Sequence, residues 1–169
     1  MIHEDGLARM THALLRSLVL VASALFSPAL TSGQVVYDYV YPYNTPDLIE
    51  NHFIVLDFES GEARGWYYAT SDEFDSAREG YLPGFFVAEM SELRLSEASI
   101  SFSLTRPERF FTSAVPLEYR DVASIPVGLI EEWSVPLPVA SRAYVGTRSG
   151  DEIGLDVAGT PRVFRRREE

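Results

Sequence analysis

Ile100, Phe102 and Leu104 alternate with Ser99, Ser101 and Ser103. A period of two puts the apolar side chains on one face of a strand and the hydroxyls on the other, the pattern of an antiparallel strand with one face on a core. The segment Asn51 to Glu59 is apolar on both faces: His52, Ile54, Leu56 and Phe58 share one, Phe53 and Val55 the other, which predicts a central strand. Ser60, Gly61 and Glu62 supply turn chemistry and join it to Arg64 through Thr70 as a hairpin, with Trp66 and Tyr68 together on one face. A further strand begins at Phe85, where Phe86, Ala88 and Met90 keep one phase and Leu93 and Leu95 take the other. That shift predicts a bulge or break near Ser91 and Glu92. Near the C-terminus, Arg142 to Thr147, a turn at Ser149-Gly150-Asp151, and Glu152 to Val157 read as a second hairpin with Ile153, Leu155 and Val157 on one face. Gly159, Thr160 and Pro161 turn the chain into a last strand, Arg162 to Arg166.

Three stretches are less regular. In residues 34–47, Tyr37, Tyr39, Tyr41 and Tyr43 line one side of an extended chain, and Pro42 and Pro46 predict an edge strand or N-terminal arm. Such a ladder can stack on sugar, but covering one end of a barrel is the simpler use. Thr70 and Glu73 have the spacing of a capping box and Gly80 can end a helix, so one short helix is expected over Thr70 to Glu79. Prolines 107, 116, 126, 136 and 138 interrupt Thr105 to Ser141 and predict short edge strands joined by ordered loops.

The N-terminus carries a different signature. Leu14 to Phe26 is apolar apart from Arg16 and two serines, and it is followed by Pro28 and small residues to Gly33, the layout of a cleavable signal peptide over residues 1–33. The run is shorter than the roughly 20 apolar residues of a membrane span, so no stable membrane span is expected after cleavage. The remainder, residues 48–169 behind the arm, is expected to be one β domain exported to the periplasm or medium. No cysteine is present, which excludes disulfides and a lipid-modified cysteine, and the net charge of −11 disfavours nucleic acid and anionic membrane as partners.

Candidate chemistry is sparse. Beyond the signal segment His52 is the only histidine, so a histidine-activated nucleophile or a His/Cys zinc site has no second member. Sharing a face with aliphatic residues, His52 reads as structural. Asp72, Glu73, Asp75 and Glu79 lack the spacing of a calcium loop, and acids in the first turn of a helix are favoured in any case. Acidic residues are numerous enough that a hydrolase-like carboxylate pair is not specifically signalled. Arg162, Arg165, Arg166 and Arg167 form the one basic cluster and read as a solvated end. No catalytic residue, metal site or cofactor motif emerges.

With Gly65-Trp66 in an early strand, the loop from Thr70 to Gly84, the meander around Ile100 and Ile153 and a last strand containing Phe164 and Arg165, the layout resembles the lipocalin-like (calycin) group of small barrels. The resemblance implies an all-β, antiparallel up-and-down barrel in which Trp66 packs at the closed end under Arg162 or Arg165; the proline-rich middle also suits a β-sandwich. It further implies binding of a small apolar or amphipathic ligand inside the barrel, for which Trp66, Tyr68, Phe86 and Phe102 are the candidate lining residues. An envelope or extracellular interaction protein and a carboxylate-based hydrolase are the alternatives.

Overall fold

The computed structural model describes residues 33–41, 52–59, 61–74, 84–133, 139–157 and 159–168. The expected signal segment, apart from Gly33, and Tyr43 of the tyrosine ladder lie outside them. The described chain is all-β, with strands β1 (Gln34–Tyr39), β2 (Phe53–Asp57), β3 (Arg64–Thr70), β4 (Phe85–Glu89), β5 (Ser91–Leu95), β6 (Ser99–Thr105), β7 (Ser141–Ser149), β8 (Glu152–Val157) and β9 (Thr160–Arg166). All neighbours are antiparallel, in the order β4-β3-β2-β1-β9-β8-β7-β6-β5.

The two outer members of that order, β4 and β5, are consecutive in the chain and separated only by Met90. They are two halves of one bent stave, one half bonded to β3 and the other to β6, so the sheet curls into a nearly closed up-and-down barrel. The bend is the expected phase shift: register slips between Ser91 and Arg94, and Glu92 has φ 53°. Past β6 the chain continues beside β4, and Phe85 and Phe111 exchange both backbone hydrogen bonds at 2.8 and 2.9 Å. Pro107, between them and β6, has no N–H to offer the ladder.

β1 differs from the expected edge strand or arm. It pairs with β2 on one side and β9 on the other and closes the barrel. Tyr37 is buried, because the tyrosine face of the ladder is the inner face. Of the helix expected over Thr70 to Glu79, the described part is a 3-10 turn over Ser71–Glu73, and residues 75–79 lie outside the described residues. Thr70 makes no capping bond with its side chain, and Glu73 is drawn inward instead.

Alternation divides the apolar residues into two cores. The barrel interior holds Tyr37, Ile54, Leu56, Tyr67, Phe86, Ile100, Phe102, Leu104, Tyr144, Ile153, Leu155 and Phe164 among others. Its rings pack on one another: Phe102 stacks on Tyr144 at 4.9 Å, and Tyr67 lies 5.7 Å from Tyr144 and 6.0 Å from Phe164. The second core lies outside the barrel, where Phe53, Val55, Trp66, Tyr68 and Val87 on β2 to β4 are covered by Phe111, Val115 and Ile125 from the long β6–β7 connection. The proline-rich segment is thus a strap, with a second 3-10 turn at Val122–Ser124. On the opposite side, β7 and β8 approach closely at Gly146, where a Cβ would stand 2.2 Å from the carbonyl oxygen of Gly154.

Candidate functional site

The barrel's two ends differ in chemistry. At the end where β2 finishes and β3 begins, the interior is apolar, with Leu56, Phe58, Met90 and Ile100 packed together. At the other end, where β1, β3, β6 and β8 finish, strand phase turns His52, Arg106, Arg142 and Arg162 toward the interior. Each stands two positions beyond a buried apolar residue of the inner face: Ile54, Leu104, Tyr144 and Phe164.

Glu73 reaches into this polar end from the β3–β4 connection. Its side chain is 0% exposed and forms an ion pair with Arg162, which is 16% exposed. Tyr67 and Tyr144 both donate their hydroxyls to Glu73 Oε1, at 3.1 and 3.3 Å, and Arg162 donates to Oε2. Arg142 donates to the Glu73 carbonyl. Burial, and then the Glu73 charge, raise the pKa of both tyrosines, so each remains a hydroxyl donor. Clips at the base hold the connection: Ser71 N–H donates to the Gly84 carbonyl at 2.7 Å, and Trp133 packs where a Cβ on Gly84 would stand.

His52 completes the network. Arg162 Nη1 only donates, so His52 Nδ1, 3.3 Å away, accepts, and Nε2 carries the proton toward Thr70 Oγ1, also at 3.3 Å. Burial and then the Arg162 charge lower the His52 pKa to about 3, which keeps the ring neutral. Phe74 lies between two guanidinium groups, Arg106 at 5.6 Å and Arg142 at 5.5 Å, and its ring is 5.8 Å from Phe86. Among the described residues this end gathers three guanidinium groups: Arg162 meets the Glu73 carboxylate, Arg142 its backbone carbonyl, and Arg106 the Phe74 ring. No protein-family model matches the chain, and neither a curated protein nor a solved structure matches it.

The four residues expected to line one ligand site are divided between the two cores. Phe86 and Phe102 are buried inside the barrel, whereas Trp66 and Tyr68 lie outside it beneath the strap. The resemblance placed Trp66 under Arg162 or Arg165; instead Arg64 and Arg120 cover its ring at 5.0 and 5.5 Å, because Trp66 has the outward phase of β3. Tyr68 stacks on Phe53 at 4.2 Å, donates to the Tyr119 carbonyl at 2.6 Å and accepts from Arg120 at 2.7 Å, contacts that fasten the strap. The C-terminal arginines also separate. Arg162 turns inward, while Arg165, Arg166 and Arg167 pair outside with Glu152, Asp151 and Asp38.

Among the described residues, two of the larger clefts lie on the outer surface. One, of about 610 Å³, runs past Gln34, Arg64, Trp66, Glu89 and Arg120; the other, of about 910 Å³, lies between Asp151, Glu152 and the C-terminal arginines. Their charged side chains already pair within the chain: Arg64 with Glu89, Arg120 with Gln34 and Tyr68, and Arg165 with Glu152. Among the described residues, the polar end of the barrel is where strand-borne donors converge on a buried carboxylate. Sequence reasoning missed Tyr67, Glu73, Arg106, Arg142 and Tyr144 as members of a site, although the inward phase of the strand residues among them was a usable signal.

Proposed function

We propose that the protein is an exported, lipocalin-like binding barrel that takes a small amphipathic molecule at its polar end. The observation that carries this reading is Glu73, wholly buried in a barrel interior and held by Arg162, Tyr67 and Tyr144. An ion pair removed from water is often less favourable than apolar packing of the same volume, and the shifted titration of His52, Tyr67 and Tyr144 around it is of the kind that clusters at sites of recognition or chemistry. The middle of the barrel is occupied by rings, so the ligand's polar group, rather than a deep apolar cavity, dictates where it binds. A binding role is favoured over the hydrolase alternative because a glycosidase-type pair needs a second carboxylate about 5–10 Å away, and among the described residues Glu73 is the one acid in the network. For the interaction-protein alternative, the supporting feature is the strap's turn at Val127 and Leu129, which are 94% and 49% exposed; the tyrosine ladder lends it no support at Tyr37, which is buried.

A calorimetric panel tests the reading. The panel sets molecules that join a polar head to an apolar body, 3-phenylpropionate and 3-phenylpropanol, against toluene, which has no polar head: at least one of the first two is expected to bind, and toluene is not. Binding of toluene alone, or of nothing in the panel, would contradict the proposal. Terminal mass analysis of protein from the envelope or medium tests export: a start near Gln34 is expected, and a chain there that retains the apolar run Leu14 to Phe26 would contradict it.

A further inference from the structure

We propose that Tyr67, Tyr144 and Arg162 form a carboxylate receptor, and that the Glu73-Phe74 step occupies in it the place of a small carboxylic acid with an aromatic or alkyl body. This rests on the polar end being the binding site, and it adds the chemical class of the ligand.

The donors and the acceptor come from different kinds of structure. Tyr67, Tyr144 and Arg162 are borne by β3, β7 and β9, in the hydrogen-bonded wall of the barrel. Their positions are set by strand register and by packing on Phe102 and Phe164. Glu73 is borne by a single 3-10 turn at the barrel's mouth. The receptor belongs to the rigid part, and its occupant to a connection.

The donor geometry selects the ligand. One carboxylate oxygen takes the two tyrosine hydroxyls and the other takes the guanidinium, which divides three donors over two oxygens. That suits a planar, two-oxygen anion. A neutral alcohol has one oxygen to offer and no charge for Arg162, and a tetrahedral phosphate brings more acceptor positions than these donors fill. His52 accepts from Arg162 and so holds the guanidinium in place without competing as a cation.

The next residue indicates the body of the ligand. Phe74 directly follows the carboxylate-bearing residue and sits between Arg106 and Arg142 beside Phe86. Together the two residues present a carboxylate and an aromatic ring, the composition of an amphipathic acid. Because the built-in carboxylate competes with a free one, binding to the wild-type chain is weakened by the fraction of molecules in which Glu73 is in place.

The test is chemical rescue of the Glu73→Ala variant of the full chain. In thermal unfolding, 3-phenylpropionate is expected to raise the variant's melting temperature by several degrees, saturating with concentration, while 3-phenylpropanol and inorganic phosphate leave it unchanged. By calorimetry the acid is expected to bind the variant at least about tenfold more tightly than it binds the wild type. The Glu73→Gln variant, which retains the side-chain volume, gives the same readout if the alanine variant is not recovered folded. Equal stabilisation by acid and alcohol, or a folded variant that the acid does not stabilise, overturns the carboxylate receptor. If neither variant folds with or without the acid, Glu73 is not replaceable and the proposal is also overturned. Should the alcohol bind the wild type while the acid has no advantage on either variant, the polar end remains a binding site and only the ligand class fails; if no amphipath binds any form, both fail.

Discussion

Phe102→Asp is expected to unfold the barrel or bring it close to unfolding, whereas Ser101→Asp leaves its stability nearly unchanged. Phe102 is 2% exposed and stacks on Tyr144 in the middle of the interior. Losing its burial costs roughly 1.5–3 kcal/mol, and an unpaired carboxylate in that surrounding costs several kcal/mol more. A domain of this size has about 5–15 kcal/mol to lose. Ser101 lies on the outer face opposite Val145, which is 70% exposed, so a charge there meets water; exposed changes usually stay within about 0.5 kcal/mol. Urea denaturation of the two variants distinguishes these outcomes. Equal midpoints would mean that the phase of β6 is wrong.

The second large effect is a dependence on pH carried by His52. In the unfolded chain this ring takes up a proton around its ordinary value of 6.5, and in the folded chain only at about 3. Between those values the unfolded state holds the extra proton. The stability is therefore present in full above 6.5 and is lost on acidification, by about 1.4 kcal/mol per pH unit. His52 faces Arg162 and Thr70 and lies 5.8 Å from the Tyr39 ring and 6.4 Å from that of Tyr41, with the Glu73 carboxylate bonded to the same Arg162 nitrogen. His52→Gln retains an acceptor and a donor there but does not titrate. From pH 7 to pH 5, above the range in which ordinary carboxylates take up protons, the wild type is expected to lose about 2 kcal/mol more than this variant. Parallel stability curves would contradict the burial of a neutral imidazole.

The antiparallel barrel was legible because strand signals are local. The alternation of Ile100, Phe102 and Leu104, the hairpin turns, and the phase change at Ser91 each appear in the structure. Closure through β1 was not legible, since prolines after Tyr41 made the tyrosine ladder look like an edge and nothing local reveals that β9 returns to its side. The site was half legible. His52, Arg106, Arg142 and Arg162 each continue an inner apolar phase by one step, and reading them together would have shown four polar side chains entering one end of the barrel. Glu73 was hidden by its local pattern, because a glutamate three residues after a threonine satisfies a capping motif as well as it reaches a distant arginine. Trp66 and Tyr68 misled for a related reason: alternation shows that they share a face, but not which face is inside when both are apolar. That ambiguity arises wherever a strap from elsewhere in the chain covers the outer face of a sheet.

The most direct test of recognition at the polar end is a side-chain nuclear magnetic resonance map of the protein titrated with 3-phenylpropionate. Saturable shifts are expected at the ring carbons of Tyr67 and Tyr144 and at the guanidinium of Arg162, with the Trp66 indole unmoved in its place beneath the strap. Shifts at Trp66 and Arg120 that leave the two tyrosines and Arg162 unmoved would put the ligand in the outer cleft and contradict recognition at the polar end.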